Sequence, residues 1–420
     1  MNCERIIKKT LVFLLAGGKG QRLYPLTEER AKPAVPFGGK YRIIDFTLSN
    51  CVNSGLKKIL VVTQYKSASL SRHLALGWGF LSDRFGEYII DIPPQQRLGE
   101  RWYVGTADAV YQNLFFVKRE ESEYVLILSG DHVYKMDYRK MLEFHIEHKA
   151  EITIGAVLVE KERAKSFGIM QIDNNGKVVD FKEKSKNPFT LPNLPDYSLA
   201  SMGIYIFNRE TLNKLLAHDA KIQSSSHDFS KDIIPFAISN KNEVFSYRFV
   251  DKNNEQAYWQ DVGTIDAFYN ANMDLLSPLP GLNLYDKNWP FFTHARQLPP
   301  AKFTFREISG EKIFGYAKDS LIADGVIVEG GTILHSVIFP KARIGVKSNI
   351  RDSVIFNNTN IGKNTRIKRA IIDKRVIVPD NVKIGFNREV DEKYFYVSNS
   401  GIVVIPRGYM FPKSFPRISI

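Results

Sequence analysis

The sequence predicts an α/β domain with a mostly parallel sheet over residues 1–277, a Pro-rich ordered connector over 278–318, and a left-handed parallel β-helix over 319–420. Three observations carry this. From residue 11 to about 275, short β-branched runs alternate with helical patterns, which is how βαβ units read. Five prolines between Pro278 and Pro300 interrupt both patterns. Beyond residue 319, aliphatic residues recur every six positions.

Leu11 to Leu15 is an apolar run that reads as a buried parallel strand, and Gly17, Gly18 and Gly20 follow it. Glycines let the backbone turn sharply and bring its N–H groups close to a phosphate. Lys19 and Arg22 add cations to that loop, and Lys32 adds another. The spacing fits neither a G-x-G-x-x-G fingerprint nor a Walker A loop. Leu56–Thr63 reads as a strand after a helix over Phe46–Asn53. Ala107–Val117 reads as a helix, Tyr124–Leu128 as a strand, Tyr138–Lys149 as a helix and Ile152–Val159 as a strand. Ligands then belong at the carboxyl ends of the strands, where the glycine loop and Asp131 both fall.

The prolines of the connector accompany aromatic anchors, Trp289, Phe291 and Phe292. In the last domain Ile322, Val328 and Leu334 open a series continued by Ile338, Ile344 and Ile350, then Ile355, Ile361 and Ile367, then Ile372, Val378 and Ile384. A period of six turns one aliphatic side chain inward on each side of a triangular coil, so about four coils are expected.

The chain is 44% apolar and 25% charged, an ordinary globular composition, with a net charge of +13. Residues 301–420 hold 20 Lys and Arg against 11 Asp and Glu, so most of the excess lies far from the glycine loop. That balance suits anionic small molecules. No run of like charges resembles a nucleic-acid tail, so no nucleic-acid partner is expected. Two cysteines, Cys3 and Cys51, are too few for a disulfide framework and fit a reducing cytoplasm. The run Leu11–Ala16 is too short for a signal peptide and nothing reaches the length of a membrane span.

Asp131 in Ser129-Gly-Asp-His132 and Asp261 in Asp261-Val-Gly-Thr264 each follow a strand or enter a turn. Two carboxylates hold a Mg²⁺ that keeps several waters and bridges phosphate oxygens. With Lys19, Arg22 and Lys32 they make a centre for attack at phosphorus, which works by positioning and charge neutralisation. Lys184 is a candidate for gripping the phosphate of a second substrate, and Glu183 for accepting its hydroxyls. The histidines form no metal set; His145 and His148 read as surface residues, and His335 as structural in an apolar coil.

From Leu11 to Ile405 the chain closely resembles the bacterial glucose-1-phosphate adenylyltransferase family. Leu15-Ala-Gly-Gly-Lys-Gly-Gln-Arg-Leu23, Arg30-Ala-Lys-Pro-Ala34, Phe37–Phe46, Trp102–Ala109, Ser129–His132, Ser225–Phe229 and Asp261–Thr264 carry the resemblance. It implies a Rossmann-like nucleotidyltransferase domain before the β-helix. It implies ATP and glucose 1-phosphate as substrates, ADP-glucose and pyrophosphate as products, and Mg²⁺ as cofactor. Arg22, Lys32 and Asp131 would be catalytic, and Asp131 with Asp261 would hold the metal. Tyr103, Gly168, Glu183, Lys184 and Ser201 match the glucose 1-phosphate contacts. Leu15, Ala16, Gly17, Gly18, Gln64, Gly105 and Thr106 would meet the nucleotide. The family is a cytoplasmic homotetramer feeding glycogen synthesis, controlled by phosphorylated metabolites and nucleotides, whose phosphates Arg30 and Arg42 would face. Enterobacterial relatives place an activator-binding lysine where this chain has Glu29, and a histidine where it has Pro36. Two alternatives remain: a sugar nucleotidyltransferase using another NTP, and a non-catalytic regulatory subunit.

Overall fold

The computed structural model describes residues 3–95, 102–251 and 255–418. Strand β1 (Thr10–Leu15) is the middle of a nine-stranded sheet. β2 (Lys58–Val62) and β4 (Tyr124–Ser129) flank it in parallel, and β3 (Tyr88–Ile92) extends the parallel set beyond β2. The sheet is closed on its other side by antiparallel strands. The long strand Tyr197–Asn208 runs against β4 and against Ile152–Glu160, Gly168–Ile172 pairs with that strand, and Val178–Glu183 forms the edge.

β1 is apolar throughout because both of its faces are covered. Val12 and Leu14 pack into one core layer and Leu11 and Phe13 into the other, as a two-residue period requires. The helix expected from Phe46 begins earlier, at Ile43, with Asp45 accepting from the Arg42 amide at its start. The helix expected over Ala107–Val117 is two short ones, Thr106–Tyr111 and Leu114–Arg119. The Asn113 amide between them donates to the Ala109 carbonyl and to the Tyr103 hydroxyl.

His145 is not a surface residue. It is buried, bonded to Thr153 Oγ1 and Asn208 Oδ1, and burial pushes its pKa down to about 4. His148, one turn on, is exposed and stacks on Phe144. His335 sits at an exposed coil corner with φ 44° and pairs with Asp352, so it is not held in the apolar interior.

The connector lies along the helix Ile43–Asn53. Trp289 Nε1 donates to Asn50 Oδ1, the Phe292 amide to Ser49 Oγ, and Phe291 meets the ring of Phe46 at 4.9 Å. The coil stack takes in strands before residue 319. Lys302–Ile308 pairs in parallel with Ile327–Glu329, and Tyr316–Lys318 with Thr332–Leu334. Those strands lack the six-residue aliphatic spacing because an end coil covers the core on one side only, with Phe303 and Phe305 still half-exposed.

Successive coils align Ile344 with Ile361 and Ile361 with Val378, and Ile338 with Ile355 and Ile355 with Ile372. Corners fall on left-handed residues one coil apart, as at Lys341, Asn358 and Arg375, which the stacked sheets hold in place. One coil face is apolar on both sides. Val337, Val354, Ile371 and Val404 point outward from it into a core shared with Phe37, Phe268 and Phe291. The β-helix is therefore fused to the first domain through a continuous apolar seam.

Candidate active site and a second cationic cavity

Asp131 and Asp261 come together through a two-stranded ribbon. Trp259–Asp261 pairs antiparallel with His132–Tyr134, and its register sets Asp261 opposite His132. Lys32 opens a short helical turn, Lys32–Ala34, with Pro33 second, and is buried beneath them. Its Nζ donates to Asp131 Oδ2 at 2.8 Å and to Asp261 Oδ1 at 2.9 Å. Arg22 approaches Asp261 from the solvent side at 3.8 Å. Burial works against the Lys32 ammonium, but the two carboxylates outweigh it and raise its pKa. Burial alone would raise the Asp131 carboxyl. The Lys32 charge, His132 and hydrogen bonds from Lys32 and Ser129 instead hold it well below the usual carboxylate range.

Above this centre opens a cavity of about 780 Å³. Leu15, Ala16, Gly17, Gly18, Gln64, Tyr103, Gly105 and Thr106 all line it, as do Arg22, Lys32 and Asp131. Gly105 and Gly20 are required by space or backbone, whereas Gly18 has open space around it. A Cβ on Gly105 would lie 2.2 Å from the His227 carbonyl oxygen. Gly20 has φ 62°, and a Cβ there would press on Lys32 and Thr27 at 3.1 Å. Gln64 Nε2 donates to the Tyr103 carbonyl and ties the two rims together. Thr106 Oγ1 donates to Asp228 Oδ2.

Gly168, Glu183, Lys184 and Ser201 are not among the residues lining that cavity. Glu183 ends the edge strand opposite Gly168, where a Cβ would clash with Phe181 and with the Glu183 carboxylate. Lys184 is exposed, has φ 49°, and sits 3.2 Å from Glu183. Ser201 donates to the Tyr205 hydroxyl at 3.4 Å, and Tyr205 does line the cavity. The pairing register shifts between Ser201 and Tyr205, and Gly203 within that shift, at φ 68°, packs near Ser129 and His132, to which a Cβ there would come within 3.8 Å.

Sequence reasoning gave no role to Ser129, His132 or Asp228. Ser129 Oγ donates to Asp131 Oδ1 at 2.6 Å, and its place two residues before Asp131 was the available signal. His132 Nε2 lies 3.4 Å from Asp131, and one ligand atom each from Asp131, His132 and Asp261 fall within 4.8 Å of one another. Asp228 lines the cavity from a segment distant in sequence, which no spacing reveals.

The two domains of this chain match two family profiles. One described as "Nucleotidyl transferase" matches residues 11–278, and one described as "GlmU-like, C-terminal hexapeptide" matches residues 299–405. A protein named glucose-1-phosphate adenylyltransferase 2 from Vibrio cholerae is 50% identical over 408 residues, covering 96% of this chain and 99% of that protein. Glucose-1-phosphate adenylyltransferase from Methylococcus capsulatus is 52% identical, covering 96% and 94%. The chain belongs to the glucose-1-phosphate adenylyltransferase family. Within that family of nucleotidyltransferase enzymes, the glycine loop, Lys32 and the paired acids of this chain form the candidate active site.

Arg30 and Arg42 lie elsewhere, in a second cavity of about 730 Å³ between the first domain, the connector and the coils. Arg30 is buried, donates to the Leu26 carbonyl and forms an ion pair with Asp373 of the β-helix. Arg42 donates to Ser69 at 2.6 Å, and burial with Arg30 and Arg296 nearby lowers it to about 10 despite Asp45. Arg72, Arg296, Lys374 and Arg407 also line the space, and the one carboxylate among its described lining residues is Asp324. Pro36 lines it too.

Proposed function

We propose that this enzyme transfers AMP from ATP to α-D-glucose 1-phosphate, giving ADP-glucose and pyrophosphate as a glucosyl donor for glycogen synthesis. The observation that carries this reading is Lys32 bridging Asp131 and Asp261 at the floor of the glycine-loop cavity. A phosphate oxygen of the sugar phosphate bonds to the α-phosphorus of ATP as the bond to the bridging oxygen of pyrophosphate breaks. No proton need move. Backbone N–H groups of Gly17 and Gly18 orient the phosphates, and Arg22 and Lys32 neutralise charge on the leaving group. Glu183, Lys184 and Ser201 hold the sugar phosphate beside Tyr205.

Asp131 and Asp261 offer hard oxygen ligands close together, a donor set that fits Mg²⁺. Bound there, the ion would offset triphosphate charge and favour departure of pyrophosphate. The second cavity suits anionic effectors, phosphorylated metabolites or nucleotides, which Arg30 and Arg42 would meet. A cytoplasmic homotetramer completes the proposal; no helix among the described residues is long and apolar enough to cross a membrane.

Pyrophosphate release is the test, measured with glucose 1-phosphate and each of ATP, UTP, dTTP and GTP. Turnover with ATP at least tenfold above the others supports the assignment. Preference for another nucleotide, or no release with any, rejects it.

A further inference from the structure

One wall of the catalytic cavity is built where the helix Thr106–Tyr111 meets the segment around His227. Gly105 and Thr106 line the cavity from the helix side, and Asp228 and Phe229 from the other. The Ala107 amide donates to the His227 carbonyl at 2.8 Å, so His227 fixes the junction through its backbone. It does so in a left-handed conformation, φ 51°, which a residue with a side chain keeps only where its surroundings hold it.

Asp219, the last residue of the helix Arg209–Asp219, supplies that hold. His227 Nδ1 lies 2.7 Å from Asp219 Oδ2, and an ionised carboxylate only accepts, so Nδ1 donates. Asp219 Oδ1 accepts from Ser225 Oγ at 2.6 Å, and Ser225 Oγ accepts from the His227 amide at 2.9 Å. One carboxylate thus grips both the ring and the backbone of the same residue. Its side chain is 8% exposed and that of His227 19%, so water competes weakly for the pair. Asp219 is not among the residues lining the catalytic cavity; it borders a separate hollow of about 250 Å³.

The residue next to the grip is Asp228. Its Oδ1 accepts from the Ser230 amide at 3.0 Å and its Oδ2 from Thr106 Oγ1 at 3.0 Å, and Thr106 Oγ1 accepts in turn from the Phe229 amide at 3.0 Å. Phe229 carries the wall toward Ser201, because its ring stacks with Tyr205 at 5.8 Å and Ser201 donates to the Tyr205 hydroxyl.

We propose that Asp219 is a positioning residue for the sugar-phosphate side of the catalytic cavity, acting through His227. By fixing the left-handed turn it sets Asp228 and Phe229 at the cavity edge, without itself touching a substrate. Gly17, Gly18 and Gln64, which face the nucleotide in the proposed reaction, belong to other segments, so loss of the grip bears on glucose 1-phosphate first. This rests on the proposed reaction.

The test is steady-state pyrophosphate release by the full chain, with KM and kcat measured for each substrate at saturating levels of the other. Asp219→Ala removes the grip. His227→Gly removes the ring and relieves the left-handed turn, so it decides the matter should Asp219→Ala not fold. Each should raise the KM for glucose 1-phosphate about three- to tenfold, with kcat and the KM for ATP changed less than about twofold. The double variant should be no worse than either single one, because both act through one contact. A merely structural pair gives another pattern, a lower Tm and less active protein with both KM values unchanged. That pattern, additive losses in the double variant, or equal rises in both KM values overturn the positioning role while the reaction stands. If the unaltered chain releases no pyrophosphate from ATP and glucose 1-phosphate, the proposed reaction fails and takes this inference with it.

Discussion

Lys32 holds two carboxylates with one ammonium, and that arrangement decides what single substitutions do. Asp131 accepts from Lys32 and from Ser129. Asp131→Asn keeps the volume but removes a charge that pairs with Lys32 and that the proposed divalent ion would need. Turnover is expected to fall by about 10²–10⁴. Steady-state pyrophosphate release measures it, and near-normal turnover would remove Asp131 from the proposed metal site and mechanism. Gly20→Ala acts on the same cation from behind. The new methyl must take a left-handed φ and press on Lys32 Cβ and Thr27. A loss of about 1–3 kcal/mol is expected, with a raised KM for ATP as Lys32 shifts. Thermal unfolding and initial rates check both parts; an unchanged Tm and KM would mean that the loop yields without strain. The sequence named Lys32, Asp131 and Asp261 because strand ends and residue type mark them. It could not reveal that Lys32 spans both acids, since that depends on the ribbon register between Asp261 and His132.

At the scale of elements, the hexapeptide period is legible because an inward side chain has one strict period and no alternative. Val337-Ile338, Val354-Ile355 and Ile371-Ile372 also carry a second message, that one coil face is apolar on both sides. These doublets mark where the first domain docks, and a search for one inward residue per side passes over them. His145 was misread for a related reason. A three-residue spacing to His148 suggests one exposed face, but one helical turn carries His145 under Thr153 and leaves His148 in water. The coil geometry makes a paired prediction. Ile361 is wholly buried and Ile377, on the next coil of the same face, is 67% exposed. Ile361→Ala should cost about 2–5 kcal/mol, and Ile377→Ala no more than about 0.5 kcal/mol. Denaturant unfolding monitored on both variants separates them, and equal losses would contradict the inward assignment.

Across the whole molecule, the seam between domains is where charge is concentrated. Lys374 sits on the β-helix facing Arg30, Arg42 and Arg296 from the first domain and connector, with Asp373 beside it. Burial and then those arginines, offset in part by Asp373, push its pKa from 10.5 down to about 6. His294, also in the lining, is lowered below its ordinary value by burial first, so it is neutral above pH 7. The unfolded chain thus binds this proton more tightly than the folded one. As pH falls from 10.5 to about 6, the Lys374 contribution to stability becomes steadily more unfavourable, and below that range it is constant. An anion in the cavity reverses the balance by favouring the charged amine. Sulfate does not titrate in this range, so proton uptake on sulfate binding must come from the protein. At pH 8 up to one proton should be taken up per anion, read from titrations in buffers of different ionisation enthalpy. Lys374→Arg, whose guanidinium stays charged, should bind sulfate without that uptake. Heats independent of the buffer in the unaltered chain would show that Lys374 is already protonated, and that the cavity is a fixed cationic site instead of one that gains charge as it binds.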